Sequence, residues 1–159
     1  EGRKLGILVT DGVDAKQLKA LTAAIKKDKA VFELIAPKVG GVKASDGTWI
    51  EVHHMIDGGP SVLFDAVALL TSADAMDDLV KEATARDFVA DAFQHCKFIG
   101  YDQSAMPLLE KAGIAEALDE GVIALSGKDG MDAFLSSLGK LRVWGREPSI
   151  KQGKTSAAK

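Results

Sequence analysis

Short aliphatic runs alternate with amphipathic segments along the whole sequence, and this alternation constrains the fold more than any other feature. Residues 5–9 form a run that is short and apolar throughout, as in a strand that is buried on both faces of a sheet. Behind it, apolar residues recur at helical spacing at Leu18, Leu21 and Ile25. Strands that alternate with helices are typical of βαβ units, so the sequence predicts a parallel sheet.

The later segments repeat this order. Strands are predicted at residues 31–35, 65–70, 97–101 and 122–125, and the last two helices at 105–111 and 131–138. Asp14 and Gln17 predict a capping box at the start of the first helix. Thr84 is predicted to cap the helix that carries Phe88 and Phe93 on one face.

One segment breaks the alternation. An Asp46-Gly47 pair separates the β-prone residues 42–44 and 48–52, which predicts a hairpin because glycine adopts a positive φ without steric cost. Residues 53–61 are predicted to form a loop.

The expected architecture is therefore α/β: five parallel strands in a doubly wound, flavodoxin-like sheet with helices on both faces and a small hairpin. The domain is predicted to cover residues 1–150, followed by a flexible tail at 151–159.

Composition limits the classes of function. The chain has 159 residues, 47% of them hydrophobic and 27% charged, which suits a soluble globular domain. A net charge of −3 gives no general attraction to nucleic acid, and no apolar run approaches the ~20 residues of a membrane span. We therefore expect neither nucleic acid nor a membrane as a partner. The lone Cys96 cannot form an internal disulfide and leaves the compartment open, cytoplasmic or secreted.

Charge is unevenly distributed along the sequence. Acidic residues dominate between positions 57 and 91, whereas basic residues dominate from position 140 onward. Two interpretations remain open: two solvated surfaces, or a basic tail that docks on an acidic neighbour.

In open α/β sheets, ligands bind beyond the carboxyl ends of the strands, so the turns after the strands are the places to look for chemistry. The turn after Tyr101 offers Asp102 and Ser104 but no histidine beside them, which favours a helix cap. Cys96 precedes its strand and is predicted to be a buried, inert thiol. His53 and His54 are too few to bind a metal ion.

Three stretches of the sequence carry a specific resemblance. They are ASDGT at 44–48, GGPS at 58–61 with DAV at 65–67, and LRVWGREPSI at 141–150. In this order they resemble the C-terminal domain of large-subunit haem catalases, within the wider ThiJ/PfpI and class I glutamine-amidotransferase-like superfamily. The resemblance covers about residues 3–150.

The resemblance has implications for activity and partners. Catalytic members of the superfamily carry a cysteine on the turn after a strand, often with histidine next, and an acid from the first helix beside it. The resemblance places Asp102, Gln103 and Gln17 at those positions, which implies a degenerate site without catalytic residues, cofactor or metal. It also implies a parent enzyme that disproportionates hydrogen peroxide at a haem in a separate core domain. The core domain and neighbouring subunits of a homotetramer are then the expected partners.

Three functional hypotheses follow. The first is a non-catalytic accessory domain that stabilises the catalase oligomer and lengthens the route of peroxide to the haem, with residues 143–146 as a segment suited to docking on a neighbour. The second is a chaperone-like module that binds unfolded client proteins if the domain stands alone. The third is a residual hydrolase or glyoxalase that uses Asp102, Ser104 or Cys96.

Overall fold

The computed structural model describes residues 3–38, 40–140 and 142–148. The strands are β1 (Lys4–Val9), β2 (Val31–Ala36), β3 (Gly41–Lys43), β4 (Trp49–Glu51), β5 (His54–Met55), β6 (Ala66–Leu70), β7 (Phe98–Tyr101) and β8 (Val122–Ala124). The α-helices are α1 (Ala15–Lys27), α2 (Ala73–Leu79), α3 (Ala83–Gln94), α4 (Met106–Lys111) and α5 (Gly127–Ser137). The predicted tail at 151–159 lies outside the described residues.

A six-stranded sheet in the order β5-β2-β1-β6-β7-β8 forms the middle layer. All of its pairings are parallel. The β3–β4 hairpin forms a separate two-stranded antiparallel sheet. The predicted doubly wound, mostly parallel sheet with a small hairpin is therefore confirmed.

Helices cover both faces of the sheet because β1 alternates its side chains between them. Ile7 packs with residues of α1 and α5, whereas Leu8 packs with residues of α2, α3 and α4. Both side chains are fully buried. Two apolar clusters thus lie on opposite faces of the sheet and give three layers.

The start of α1 follows the prediction in part. The Asp14 carboxylate accepts a hydrogen bond from the Gln17 backbone N–H at 3.0 Å, as expected of an N-cap. The Gln17 side chain does not complete a capping box, because its Nε2 donates to the Leu125 carbonyl at 3.4 Å. The side chain therefore joins α1 to the end of β8.

Two local predictions were wrong. Residues 53–61 are not all loop: His54 and Met55 form β5 beside Ile35 and Ala36, a sixth parallel strand of only two residues. Thr84 does not cap α3, because this helix begins at Ala83 with Glu82 at the N-cap position and no side-chain cap hydrogen bond. Neither feature has a local signal, since a two-residue strand is defined by its neighbour and not by its own pattern.

Candidate functional site

The carboxyl edge of the sheet, where β1, β6, β7 and β8 end, is the expected place for a ligand. The chain order reverses between β1 and β6, so the turns after these two strands flank the crevice at which this fold class binds ligands. The structure brings Thr10, Asp11, Thr71 and Ser72 together there.

Direct hydrogen bonds close this crevice. The Ser72 hydroxyl donates to the Asp11 carbonyl at 2.6 Å, and the Ser72 N–H donates to Thr10 Oγ1 at 3.1 Å. Thr10 and Thr71 are 2% and 4% exposed. The two turns therefore satisfy each other's polar groups, where a ligand would otherwise have to supply partners.

Asp102 follows β7 and caps the short helix at Gln103–Ala105. Its carboxylate accepts hydrogen bonds from the Ser104 N–H at 3.2 Å and from the Ser104 hydroxyl at 2.5 Å. Ser104 Oγ also lies 3.0 Å from Thr71 Oγ1. Asp102 has φ −77° and ψ 149°, which is ordinary extended backbone, so the turn lacks the strain of a nucleophile elbow.

The other two residues of the predicted degenerate site lie near Asp102 in the fold but do not contact it through any hydrogen bond of the described residues. Gln103 is exposed. Gln17 donates to the Leu125 carbonyl, and the Leu125 N–H bonds the carbonyl of Tyr101, the residue before Asp102. Gln17 is thus positioned at the same edge, with its amide engaged by backbone.

Cys96 lies at the other end of β7 from Asp102. It precedes the strand, is 6% exposed, and has a positive φ of 60°. The strand separates the thiol from Asp102 and Ser104, so of the three alternative residues of the residual-enzyme hypothesis only Asp102 and Ser104 lie together at the carboxyl edge. The prediction of a buried thiol is confirmed.

The two adjacent histidines have different structural partners. His53 Nδ1 accepts a hydrogen bond from the Leu34 N–H at 2.8 Å, and His54 pairs with the Glu33 carboxylate. Among the described residues, no group of three or more His, Cys, Asp or Glu side chains could hold a metal ion. In the same part of the chain, no helix is long and apolar enough to cross a membrane.

A groove of about 580 Å³ opens at the same turn, since Thr10 and Asp11 also line it, and it lies between the turn after β1 and helix α2. Charged side chains of both signs line it: Asp11, Lys38, Asp74, Asp78, Lys81 and Glu82. A hydrogen bond from the Lys43 N–H, aided by Lys38, holds the pKa of Asp11 below its usual value despite some burial. Asp11 is therefore an ionised turn residue that anchors the hairpin.

The opposite edge of the sheet, where β1, β2, β6, β7 and β8 begin, is here called the amino edge. It contains a buried arginine that the sequence reasoning assigned to docking. Arg146 is 3% exposed, and its Nε and Nη2 donate to the Asp119 carboxylate at 2.6 and 2.8 Å. Its Nη1 donates to the carbonyls of Phe93 and Lys97 at 3.0 and 2.9 Å. The guanidinium also stacks 4.1 Å from the centroid of the Phe93 ring.

These contacts correct the interpretation of residues 143–146 as a segment suited to docking on a neighbour. Val143 is 5% exposed, and its N–H bonds the Cys96 carbonyl at 2.6 Å. Burial alone would raise the pKa of Asp119, but hydrogen bonds from Arg146 and the Gly121 N–H, with the charge of Arg146, lower it overall. The segment is thus fastened to its own domain.

Lys97 is a second buried cation at the amino edge and was predicted only as a strand residue. It is 2% exposed and lies just before β7, and its Nζ donates to the Ser61 carbonyl at 2.6 Å. Burial, with the nearby charge of Arg142, lowers the pKa of Lys97 to about 8, although Asp65 and Asp91 act in the opposite direction. In the sequence, Lys97 is followed by the apolar residues of a strand, and this pattern does not indicate that the lysine is buried.

Solved structures similar to this chain have the same fold. The structure of DJ-1beta from Drosophila melanogaster matches 98% of this chain and 98% of its own, with a TM-score of 0.73 and 12% identity. A ThiJ/PfpI domain protein from Brachyspira murdochii matches 86% of this chain and 96% of its own, with a TM-score of 0.73 and 11% identity. At such identities the likeness shows the fold alone.

Relatives in sequence are catalases. Catalase C from Rhizobium meliloti is 68% identical over 151 residues, which are 95% of this chain and 21% of that protein. Catalase HPII from Pseudomonas putida is 30% identical over 153 residues, 95% of this chain and 20% of that protein. This chain therefore spans about a fifth of the length of these relatives. The sequence model of the C-terminal domain found in long catalases matches residues 1–148. The chain belongs to this family, the C-terminal domains of long catalases, as its resemblance implied.

Proposed function

We propose that this chain is a non-catalytic accessory domain of a long haem catalase, which stabilises the assembled enzyme and lengthens the route of peroxide to the haem. The observation that carries the proposal is the family match over residues 1–148, combined with a carboxyl edge whose polar groups bond to each other. The parent reaction, disproportionation of hydrogen peroxide to water and oxygen, belongs to the rest of the enzyme.

The residues at the carboxyl edge support a non-catalytic role. A nucleophile needs a base within hydrogen-bond reach, and the groups that Ser104 contacts are the Asp102 carboxylate and the Thr71 hydroxyl. The Asp102 carboxylate is itself engaged as a helix cap. These contacts stabilise a turn, and the described residues give the Ser104 hydroxyl no histidine partner.

The placement of the only tyrosine supports a haem site elsewhere in the enzyme. Tyr101 is 8% exposed and lies in β7 between β6 and β8. A tyrosinate that ligates haem has to face a cavity large enough for the macrocycle. Tyr101 instead packs in the apolar cluster beneath α3 and α4.

The test is removal of the domain from the full-length catalase. We expect the enzyme truncated before this domain to lose activity at a lower temperature, or to show altered dependence of rate on peroxide concentration. The control is the full-length D102A/S104A double variant, which should keep the peroxide turnover of the unmodified enzyme. A truncated enzyme with unchanged heat inactivation and unchanged peroxide kinetics would overturn the proposal.

The two other hypotheses stay predictions. Binding of unfolded clients is tested by light scattering of a heated client protein with equimolar domain, where unchanged aggregation argues against it. A residual hydrolase or glyoxalase would have to use either the buried Cys96 thiol or the Asp102 and Ser104 side chains that already bond each other. Turnover of methylglyoxal that is lost in C96A would support it.

A further inference from the structure

Exposed apolar side chains are concentrated at one edge of the sheet. Among the described residues, the exposed large apolar side chains are Val31, Trp49, Met55, Val62, Leu63 and Leu118. Val31 is the first residue of β2, Val62 and Leu63 precede β6, and Leu118 precedes β8. Four of the six therefore lie at the amino edge, opposite the edge where this fold class binds ligands.

Buried polar contacts of Arg146 and Lys97 join the segment that carries Leu118 to the turn that carries Val62. Leu118 is adjacent to Asp119, whose carboxylate binds Arg146, and Arg146 donates to the Lys97 carbonyl. Lys97 Nζ in turn donates to the carbonyl of Ser61, adjacent to Val62. The segments before β6 and before β8 are thus fixed to the same start of β7.

The third position belongs to the same edge through β1. Val31 pairs with Lys4 in the parallel ladder between β1 and β2. The Lys4 N–H donates to the Asp65 carboxylate at 2.8 Å, and Asp65 immediately precedes β6. Val31 therefore lies two strands from the turn that carries Val62 and Leu63.

The exposed pair Val62 and Leu63 projects from a rigid turn. The Leu63 N–H bonds the Pro60 carbonyl and the Phe64 N–H bonds the Ser61 carbonyl, both at 3.1 Å. Phe64 is 2% exposed and fills the space that a Cβ on Gly6 would occupy, 2.4 Å from its ring. Nevertheless Val62 is 64% and Leu63 is 48% exposed. A rigid turn that presents two aliphatic side chains to water is typical of a surface that another part of a protein covers.

We propose that the amino edge, defined by Val31, Val62, Leu63 and Leu118, is the surface by which this domain docks on the catalase core of its own polypeptide. The inference rests on the proposed function. In long catalases the matched segment is C-terminal and about a fifth of the protein, so the rest is joined to it ahead of β1. β1 starts at the amino edge, so the covalent connection to the core enters the domain beside this surface and raises the effective concentration of the core there.

Photocrosslinking in the full-length catalase tests the docking surface. A benzophenone-bearing amino acid replaces Val62 or Leu63. The matched control carries it at Trp49 on the hairpin, which is similarly exposed. Crosslinked peptides are then identified by mass spectrometry after illumination. Because benzophenone reacts with atoms in contact range, we expect crosslinks to core peptides from positions 62 and 63 at about tenfold or more the yield from position 49.

Each result has a distinct meaning. Crosslinks from 62 and 63 to core peptides support the proposal. Crosslinks only to another copy of this domain, only to unrelated proteins, or none at all overturn it, as does an equal yield from position 49.

Truncation before this domain, measured in parallel by heat inactivation, separates the docking surface from the accessory role. If truncation lowers the inactivation temperature while 62 and 63 fail to reach the core, the docking surface is wrong and the accessory role stands. An unaltered truncated enzyme instead contradicts the accessory role.

Discussion

The two edges of the central sheet use polar groups in opposite ways. At the carboxyl edge, small neutral groups bond each other across the crevice, as Ser72 does with Thr10 and Asp11. At the amino edge, two long cations, Lys97 and Arg146, are nearly fully buried and bind carbonyls and a carboxylate. The carboxyl edge is thus closed with little desolvation of charge, whereas the amino edge contains charges whose burial is tolerated only because they are paired.

This difference supports the proposed non-catalytic role of the carboxyl edge. The bonds of Asp102 and Ser104 hold the turn after β7 in place. The buried cations Lys97 and Arg146 lie at the other end of the same strand, where Lys97 precedes β7. Substitutions at one edge or the other should therefore differ in how much they change the free energy of unfolding.

The largest effect is expected from breaking the buried ion pair at the amino edge. Arg146→Met removes the guanidinium from two carbonyls and from the Asp119 carboxylate, which among the described residues keeps only the Gly121 N–H, so we expect a loss of about 3–5 kcal/mol in the free energy of unfolding. Urea denaturation measures it, with the exposed Lys140→Met as the control for removing a charge. A loss no larger than that of Lys140→Met would show that the pair contributes little.

A pH-dependent effect is expected at Lys97. The pKa of Lys97 is about 8 in the folded domain, whereas a lysine in the unfolded chain has its usual pKa of 10.5. Between pH 8 and 10.5, Lys97 is therefore protonated in the unfolded chain and largely deprotonated in the folded domain. The free energy of unfolding should therefore rise with pH from about 8 to 10.5, by up to about 3 kcal/mol, relative to Lys97→Met. Urea denaturation across this range measures the difference.

The control for this pH dependence is the exposed Lys81→Met, which should follow the pH profile of the unmodified chain. Parallel profiles for the unmodified chain and Lys97→Met would mean that Lys97 titrates alike in the folded and unfolded states. Its burial would then carry no electrostatic cost.

The smallest effect is expected at the carboxyl edge. Ser104→Ala removes two contacts of the hydroxyl, one to the neutral Thr71 hydroxyl and one to the Asp102 carboxylate. The Ser104 backbone N–H still donates to Asp102. We expect a loss of about 1 kcal/mol in the free energy of unfolding. Ser104→Thr, which keeps the hydroxyl, is the matched variant and should lose less. A loss above that of Arg146→Met would reverse the ranking of the two edges.

The sequence predicted the middle layer well because its signals are local. Residues such as Ile7 and Leu69 lie in short aliphatic runs that suit only a doubly buried strand, and the Asp46-Gly47 turn fixes the hairpin by its positive φ. Asp14 caps α1 within three residues of itself, so its role could also be read directly. These features depend on few neighbours in the chain.

The missed features depend on partners far along the chain. Arg146 contacts Asp119 and Phe93, and Lys97 reaches Ser61, so a linear pattern shows only a basic residue in each case. The two-residue strand β5 exists because Ile35 and Ala36 offer it an edge. The N-cap position of α3 is Glu82 instead of Thr84, and Glu82 makes no side-chain cap hydrogen bond. Helix boundaries often differ by one or two residues from those that the sequence indicates.

The central claim is that this domain serves its catalase through the amino edge and not through the carboxyl edge. The most direct test compares heat inactivation of two full-length double variants with equal added charge, V62K/L63K at the amino edge and Q103K/S126K at the carboxyl edge. All four positions are exposed, so the domain itself should remain folded. We predict that V62K/L63K lowers the inactivation temperature toward that of the truncated enzyme and that Q103K/S126K leaves it unchanged. Equal shifts, or a larger shift for Q103K/S126K, would contradict the account.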